Sequence, residues 1–452
     1  MVRAIMRGGG SLGGGKGKWK VEWRPPRLAP PFSFHFFLAE AWRLPLFERE
    51  MIRRDYLIVG AGIAGLGACE GIREHDKKGS ILLVGNETTL PYHRPMLLKS
   101  HLGKGATVAT DKLLARDAAW FAKQKVDVRL DTLVTQLNLE RHLAVLGNGQ
   151  AVEFRKALVA TGSRARRLPM AGANLGNVLY LRSVRDLQAL REVVDLDHNV
   201  VVIGGGLLAA EASALLSQLP KMHVTLMHRG PHVWGRTLDA ESAAWLTAYF
   251  GKQGVKLLMG ETINGFEGRT VLRNVQTKSG QRFPAGVAVV ALGAEMNNAL
   301  FLNTPLHYPN GTPVNDYLET DEKGIFAAGD IALYPDHIFG GVRRIDHHDA
   351  ALAQGQVAGA NMTGKKRIKW DWMPHYWSQV FDLHFDFVGD FSRPATRFEV
   401  EGDRTKKKFL VRQYYLSALT GIVLCNQAPE KVEAAKTQLR EWKRDIKKHE
   451  PA

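Results

Sequence analysis

Two short glycine runs carry the first chemical signal in this chain. Gly60-x-Gly62-x-x-Gly65 follows the apolar segment YLIV, and Gly204-x-Gly206-x-x-Ala209 follows VVVI. Between a strand and a helix, such a run closes backbone N–H groups and a helix N-terminus on a pyrophosphate. The first glycine allows the tight turn, the second lets the backbone approach the phosphates, and the third position packs helix against strand. A third stretch, HVTLMHRG at residues 223–230, ends where a dinucleotide site usually sets a carboxylate on the adenosine ribose. Here that position reads His228-Arg229. A carboxylate would repel a 2′-phosphate, whereas His228 and Arg229 accept one, the guanidinium through two parallel hydrogen bonds. NADPH is therefore the expected ligand of the second turn, with NADH the alternative.

The elements that must hold these turns are legible around them. From Asp55, YLIVGAGIAGLGACEGIREHDKKGSILLVGNE reads as strand, turn, helix and strand, and NVVVIGGGLLAAEASALLSQLPKMHVTLMHR repeats the pattern from Asn199. Two such βαβ units predict two doubly wound domains. In the first, the ribose-binding acid should close the second strand. The chain has Asn86 and then Glu87 there, and the Asn86 amide can still bond hydroxyls. From about Ile368 the pattern becomes the two-residue alternation of antiparallel strands, WDWMPHYWSQVFDLHFDFVGD and KKFLVRQYYLSALTGIVLC. The helix APEKVEAAKTQLREWKRDIKK follows, with Pro429 early and a basic end suited to the macrodipole. The expected fold is α/β: two doubly wound, Rossmann-like dinucleotide-binding domains plus a C-terminal α+β domain.

Composition narrows the classes. The chain has 452 residues and a formal net charge of +16, enough for two or three domains and a basic surface. The charge sits largely in GGGKGKWK, GKKRIK, RTKKK and LREWKRDIKK, read as solvated faces. No nucleic-acid module accompanies it, so no nucleic-acid partner is expected. Two cysteines, Cys69 and Cys425, lie far apart without a CxxC. That excludes a disulfide framework, a zinc site and a redox dithiol, and no metal is expected. No apolar run reaches the ~18 residues of a transmembrane helix. Residues 1–50 are glycine- and proline-rich, and Arg3, Arg7, Lys16, Lys18 and Lys20 precede the first acid, Glu22. They read as an extension ahead of a start at Met51, or as a transit peptide. The cytoplasm is the expected compartment, an organelle matrix the alternative.

The segments VGAGIAG, PYHRPMLLK, VATGS, VVIGGGLLAAE, IFAAGDIA, RRIDHHDAALAQGQVAGANMTG and YWS (Tyr376–Ser378) occur in one order over residues 53–390. That set resembles the FAD-dependent pyridine nucleotide oxidoreductase superfamily, the flavoproteins with two dinucleotide-binding domains. It is closest to the apoptosis-inducing-factor-like and ferredoxin-reductase branch. The resemblance implies an FAD-binding domain at 51–165 and 294–367, an NAD(P)-binding domain at 166–293 and a C-terminal interface domain at 368–452. It implies hydride passing from NADPH or NADH to flavin N5, then electrons leaving the flavin directly. The acceptors this allows are a small iron–sulfur protein, a quinone or oxygen, and a homodimer is compatible with it.

Carried over position by position, FAD would be lined by Gly60, Gly62, Ile63, Ala64, Gly65, Asn86, Glu87, Arg94, Lys99, Val134, Thr161, Gly162, Arg182, Gly329, Asp330, His347, His348 and Trp377. The nicotinamide nucleotide would meet Gly204, Gly205, Gly206, Leu207, Leu208, His228, Arg229, Gly293, Asp346, His347 and Asp386. In this carry-over Lys99 and Glu211 form the catalytic pair at the reactive ring edge, the cation stabilising negative charge there. Asp330 accepts from a ribityl hydroxyl, and Trp377 covers the site from the C-terminal domain. Trp370 and Trp372 read as interface packing. Asn86 and His228 depart from the family's acids. The tail is too short for the insertion of the vertebrate apoptosis factors, so cell-death functions are not carried over. The rival reading is a slow-turnover NAD(P)H-responsive redox sensor.

Overall fold

The computed structural model describes residues 51–98, 110–302 and 304–449. The expectations for residues 1–50 and for Lys99 lie outside the described residues.

The first glycine turn belongs to a seven-stranded sheet. Strand β1 (Ile52–Val59) runs into helix α1 (Ile63–His75) and then β2 (Ile81–Val84) and β3 (Val126–Arg129). Strands β4 (Val134–Asn138), β5 (Leu143–Leu146) and β6 (Ala151–Val159) complete the spatial order β3-β2-β1-β6-β5-β4. β1 pairs in parallel with β2 and β6, whereas β4 and β5 form an antiparallel flap. The four residues of β2 are all buried, as a strand covered on both faces requires.

Between β6 and the sheet's last member the chain makes a second parallel sheet. The link out is β7 (Ser163–Ala165). Then come β8 (Val178–Leu179), β9 (Asn199–Ile203), helix α2 (Leu207–Ser217), β10 (His223–His228), helix α3 (Ala240–Lys252), β11 (Lys256–Met259) and β12 (Val287–Val290). The order is β11-β10-β9-β12-β8. The return strand β13 (Ala294–Met296) pairs antiparallel with β7, so the two crossings lie side by side. Thr161 and Asn297 lock them: Thr161 Oγ1 donates to Asn297 O at 2.6 Å, and Asn297 Nδ2 to Thr161 O at 3.0 Å.

The chain then rejoins the first sheet through β14 (Ile325–Ala327), parallel to β6, and helix α4 (His348–Met362). Helix α4 crosses α1 backbone to backbone. A Cβ on Gly67 would lie 2.3 Å from Leu352 O, and one on Gly355 2.1 Å from Ala64 O, so only glycine permits this approach.

The C-terminal sheet is antiparallel: β15 (His375–Val380), β16 (Leu383–Gly389), β17 (Arg397–Asp403), β18 (Lys408–Tyr415) and β19 (Ala418–Cys425), in the order β15-β16-β19-β18-β17. Helix α5 (Pro429–His449) covers one face through Val432, Ala435 and Leu439. The opposite face merges with the second sheet's core, where Phe385, Phe387 and Phe409 join Trp234, Leu246 and Phe250. Trp370 and Trp372 stack at 5.5 Å and pack on the first core, as expected.

Within RTKKK, Thr405, Lys406 and Lys408 are exposed, as the reading of a solvated face expects, and Arg404 departs from it. Arg404 Nε donates to Ser242 Oγ at 2.8 Å, and its Nη2 to Asp239 Oδ2 at 3.1 Å at the N-terminus of α3. Lys407 Nζ reaches Asp382 at 2.6 Å. Charge density in sequence does not reveal that carboxylates wait on another domain. Among the described residues no helix is long and apolar enough to cross a membrane.

Candidate functional site

Each glycine turn divides its glycines between packing and an open seat. A Cβ on Gly60 would lie 2.1 Å from Ala160 O, and one on Gly65 2.0 Å from Gly60 O, whereas a Cβ on Gly62 meets nothing within 4 Å. The outer two are needed by the fold, and the middle one faces free space. Gly62 is also the N-cap of α1, with no side-chain cap and no acid in the first turn. Ile63 and Ala64 therefore lead a helix whose terminal N–H groups are available to an anion. The second turn repeats the division. A Cβ on Gly204 would lie 2.3 Å from Ala291 O, while one on Gly206, the N-cap of α2, meets nothing within 4 Å. Leu207 and Leu208 follow as the first residues of α2, and Gly293 lies just beyond β12 with φ +96° and open space beside it. Both cradles fit a pyrophosphate.

His228 ends β10, its ring laid over Gly205: a Cβ there would come 2.0 Å from the imidazole. Burial, then the positive charges of Arg229 and Arg236, push its pKa down. Arg229 and Arg236 are exposed. Sequence reasoning missed Arg236, eight residues past the strand end and brought back by a turn.

At the first site, Asn86 is exposed just beyond β2, and Val134 opens β4 opposite Leu146, buried. Glu87 turns away from the position after β2 to accept from Tyr92 Oη at 2.8 Å and from Arg94. Arg94 also donates to Arg182 O at 2.9 Å, and its carboxylate partner helps hold its guanidinium charged despite burial. Gly329, with φ +76°, donates its N–H to Gln354 Oε1 at 2.7 Å, which sets the following Asp330. Asp330 Oδ2 accepts twice, from Ser163 Oγ at 2.5 Å and from Arg182 Nη2 at 2.8 Å. Among the described residues Oδ1 accepts no hydrogen bond and is open to another donor. Gly162, at φ +66°, lies beside the Arg182 guanidinium. Ser163 was not foreseen, although it closes the VATGS motif.

The Asp-His-His stretch reaches the same region from α4. His348 Nε2 lies 3.0 Å from Nδ1 of His93, a residue that sequence reasoning missed. Asp346 is half-exposed, 3.7 Å from Arg344. His347 packs its ring on Tyr376 at 4.1 Å. Strand alternation explains why Tyr376, not Trp377, meets His347: Trp377 lies on the other face, stacked on His384 at 5.5 Å. Opposite Trp377, Asp386 accepts from His375 at 2.8 Å and pairs with His384 at 3.3 Å, and these histidines hold its carboxyl at about 2 against the opposing effect of burial. Glu211, on α2, accepts from Ser378 Oγ at 2.7 Å, which ties the second domain to β15.

Both cysteines are fully buried, and burial pushes each thiol up to about 12. They belong to different cores, Cys69 to the first sheet's and Cys425 to the one behind the C-terminal sheet.

A profile of the pyridine nucleotide-disulphide oxidoreductases matches residues 54–355. Putidaredoxin reductase of Pseudomonas putida is 31% identical over 368 residues, covering 80% of this chain and 86% of that protein. Monodehydroascorbate reductase of Pisum sativum is 28% identical over 358 residues, covering 74% and 82%. The crystal structure of the covalent putidaredoxin reductase–putidaredoxin complex superposes with a TM-score of 0.79 at 28% identity, covering 86% of this chain and 93% of that one.

Proposed function

We infer the function from one premise: the chain belongs to the pyridine nucleotide-disulphide oxidoreductase family, in its ferredoxin-reductase branch. It is an oxidoreductase that uses FAD and a pyridine nucleotide. We propose that it draws on NADPH in preference to NADH and delivers electrons to a small iron–sulfur protein without an internal dithiol. The paired open seats at Gly62 and Gly206 support the binding of two dinucleotides on which this reading is built.

In this proposal residues 51–165 and 294–367 hold FAD, 166–293 hold the nicotinamide nucleotide, and 368–452 close the site. The bound flavin supplies a hydride acceptor that can release electrons onward. The chain's own residues then have separable tasks. Gly62 and the α1 terminus seat the FAD pyrophosphate. Ser163 and Arg182 hold Oδ2 of Asp330 and so present Oδ1 to a ribityl hydroxyl. Arg94, partly buried and ion-paired with Glu87, adds fixed positive charge beside it. Lys99 is assigned to pair with Glu211, whose carboxylate Ser378 holds in place. Trp377 and Asp386 shield the nicotinamide side from the C-terminal sheet.

Two features support the finer points. The only two cysteines of the sequence are buried thiols in separate cores, so a dithiol relay has no residues to run on. The putidaredoxin and ferredoxin reductases among the relatives carry an electron-accepting iron–sulfur partner in their names. A basic chain suits an acidic partner of that kind. The test is anaerobic stopped-flow mixing of the yellow protein with NADPH and, separately, with NADH, followed by a ferredoxin. Fast flavin bleaching with NADPH and rapid reoxidation by the ferredoxin are expected. A persistent long-wavelength band with slow reoxidation would replace the reductase with a redox sensor.

A further inference from the structure

One polar residue interrupts the apolar stripe that α4 turns to the first core. Ala351, Ala358 and Met362 follow helical spacing and belong to that core. Gln354 falls on the same stripe and is 0% exposed. An alanine there would bury at lower cost, because a glutamine loses both rotamer freedom and hydration. Half of its amide has no compensation: Nε2 is buried and has no hydrogen-bond partner among the described residues. The use of this residue therefore lies in its other half, the oxygen.

Oε1 accepts from the N–H of Gly329 at 2.7 Å. That N–H is where the ladder of the first sheet stops. Up to Ala328 the chain bonds to β6, the Ala328 N–H donating to Val159 O at 3.2 Å. At Gly329 the backbone turns left-handed, φ +76°, and the pairing with β6 ends. A side chain from α4 takes over as the acceptor. The next residue is Asp330, whose own carbonyl accepts from Arg344 Nη1 at 3.1 Å. The main chain is thus held on both sides of the Asp330 Cα, before it by Gln354 and after it by Arg344. The turn stands against the first glycine cradle: a Cβ on Gly329 would lie 3.2 Å from the Cβ of Ala64, in the opening turn of α1.

We propose that Gln354 is a positioning residue for the flavin site. Sealed in the core, it touches no ligand. It fixes the Asp330 main chain, so that the carboxylate, itself held by Ser163 and Arg182, stands in one place before a cofactor arrives. Fixing a contact in advance raises affinity by removing an ordering cost at binding. The ligand in this assignment rests on the function proposed above; the bond to Gly329 does not.

A double-mutant cycle on FAD affinity in the full chain tests it. Gln354→Met keeps length and bulk but offers Gly329 no oxygen. It should raise the Kd for FAD roughly three- to tenfold, the size of one neutral hydrogen bond. Asp330→Ala should raise it roughly ten- to a hundredfold, the size of a charged one. Adding Gln354→Met to Asp330→Ala should then change the Kd by less than about twofold, because no carboxylate is left to place. Gln354→Glu should recover most of the affinity, since burial keeps the acid neutral and its carbonyl oxygen can accept from Gly329. Hydrogen exchange of the apoprotein reads the bond itself: the Gly329 N–H should be protected in the wild type and lose that protection in Gln354→Met, while the amides of β14 keep theirs. Wild-type FAD affinity in Gln354→Met would overturn the proposal. So would penalties that multiply in the double variant, which leave Gln354 a packing role alone. A Gly329 N–H that exchanges freely in the wild type would overturn it without any variant. A wild-type chain that binds no FAD would instead refute the function, with the Gly329 bond still readable in the apoprotein.

Discussion

Replacing Arg229 by alanine should change which nicotinamide nucleotide the protein uses, and the size of the change follows from the second site. Arg229 and Arg236 both stand close enough to His228 to lower its pKa, and both are exposed. Neither is hydrogen-bonded or ion-paired among the described residues, so no internal partner must be given up when a phosphate arrives. A hydrogen bond to a charged group contributes roughly 1.5–3 kcal/mol, and exposure argues for the lower end. At about 1.4 kcal/mol per decade, Arg229→Ala should lower kcat/KM for NADPH about tenfold. NADH efficiency should stay within about twofold, because a ribose hydroxyl asks little of a guanidinium. Arg236→Ala should act in the same direction more weakly, and the double variant should fall short of the product if both grip one phosphate. His228→Glu should go further and favour NADH outright, by restoring a carboxylate that repels the phosphate. The preference should also shrink as salt is raised from ~0.05 to ~0.5 M, as expected of exposed charges. The assay is anaerobic flavin reduction over a range of each nucleotide. Equal losses with both nucleotides in Arg229→Ala would refute the reasoning and leave that guanidinium in solvent.

Further outcomes follow from the geometry. Gly62→Ala should leave the apoprotein's unfolding midpoint nearly unchanged but weaken FAD binding at least tenfold, because its Cβ enters only the phosphate seat. Gly65→Ala should destabilise the apoprotein itself by several kcal/mol, because its Cβ collides with Gly60 O; calorimetry and FAD titration separate the two. Arg182→Gln should loosen FAD by removing one of the two donors on Asp330 Oδ2, while Ser163→Ala removes the other, and fluorescence of released FAD measures both. Arg343 bridges Asp336 and Asp390, which holds the Asp390 carboxyl at about 2, and Asp386 is held at about 2 between two histidines. An unfolded aspartate titrates near ~3.9, so each pair contributes on the order of 2 kcal/mol above about pH 4, lost as the pH falls towards 2. Thermal melts from about pH 5 to pH 2.5 should show that slope, and Asp390→Asn should flatten it, whereas an unchanged slope would remove the Arg343 bridge from the account.

Much of this arrangement was legible in the residues, for identifiable reasons. Period and punctuation located both βαβ units, the switch to alternation near Ile368 and the terminal helix, since each rests on local rules. Alternation also contained the placement of Tyr376 and Trp377 on opposite faces, but the resemblance drew attention to the tryptophan. What stayed hidden depends on segments meeting across the fold. Ser163 joins Asp330, His93 joins His348, Glu211 joins Ser378, and Arg404 finds Asp239, all over sequence distances that no window spans. Arg236 escaped for a milder reason: an exposed arginine in a turn looks like any other until the turn brings it back to His228.

The interrupted first sheet has a consequence for how the chain is made. β1, α1 and β6 emerge early from a ribosome, but the partners that seal them, β14 and α4, come only after the entire second sheet. Synthesis at 5–20 residues per second leaves that sheet open on the order of tens of seconds. Its buried strands and the glycine groove of α1 would then be exposed while the inserted domain, contiguous in sequence, can already close. The flavin therefore has no complete seat until Gly329 and α4 have been synthesised, so cofactor capture belongs to the last third of translation or later. A chain truncated before Ile325 should leave a folded nucleotide domain attached to an unsealed sheet, the species from which aggregation would start.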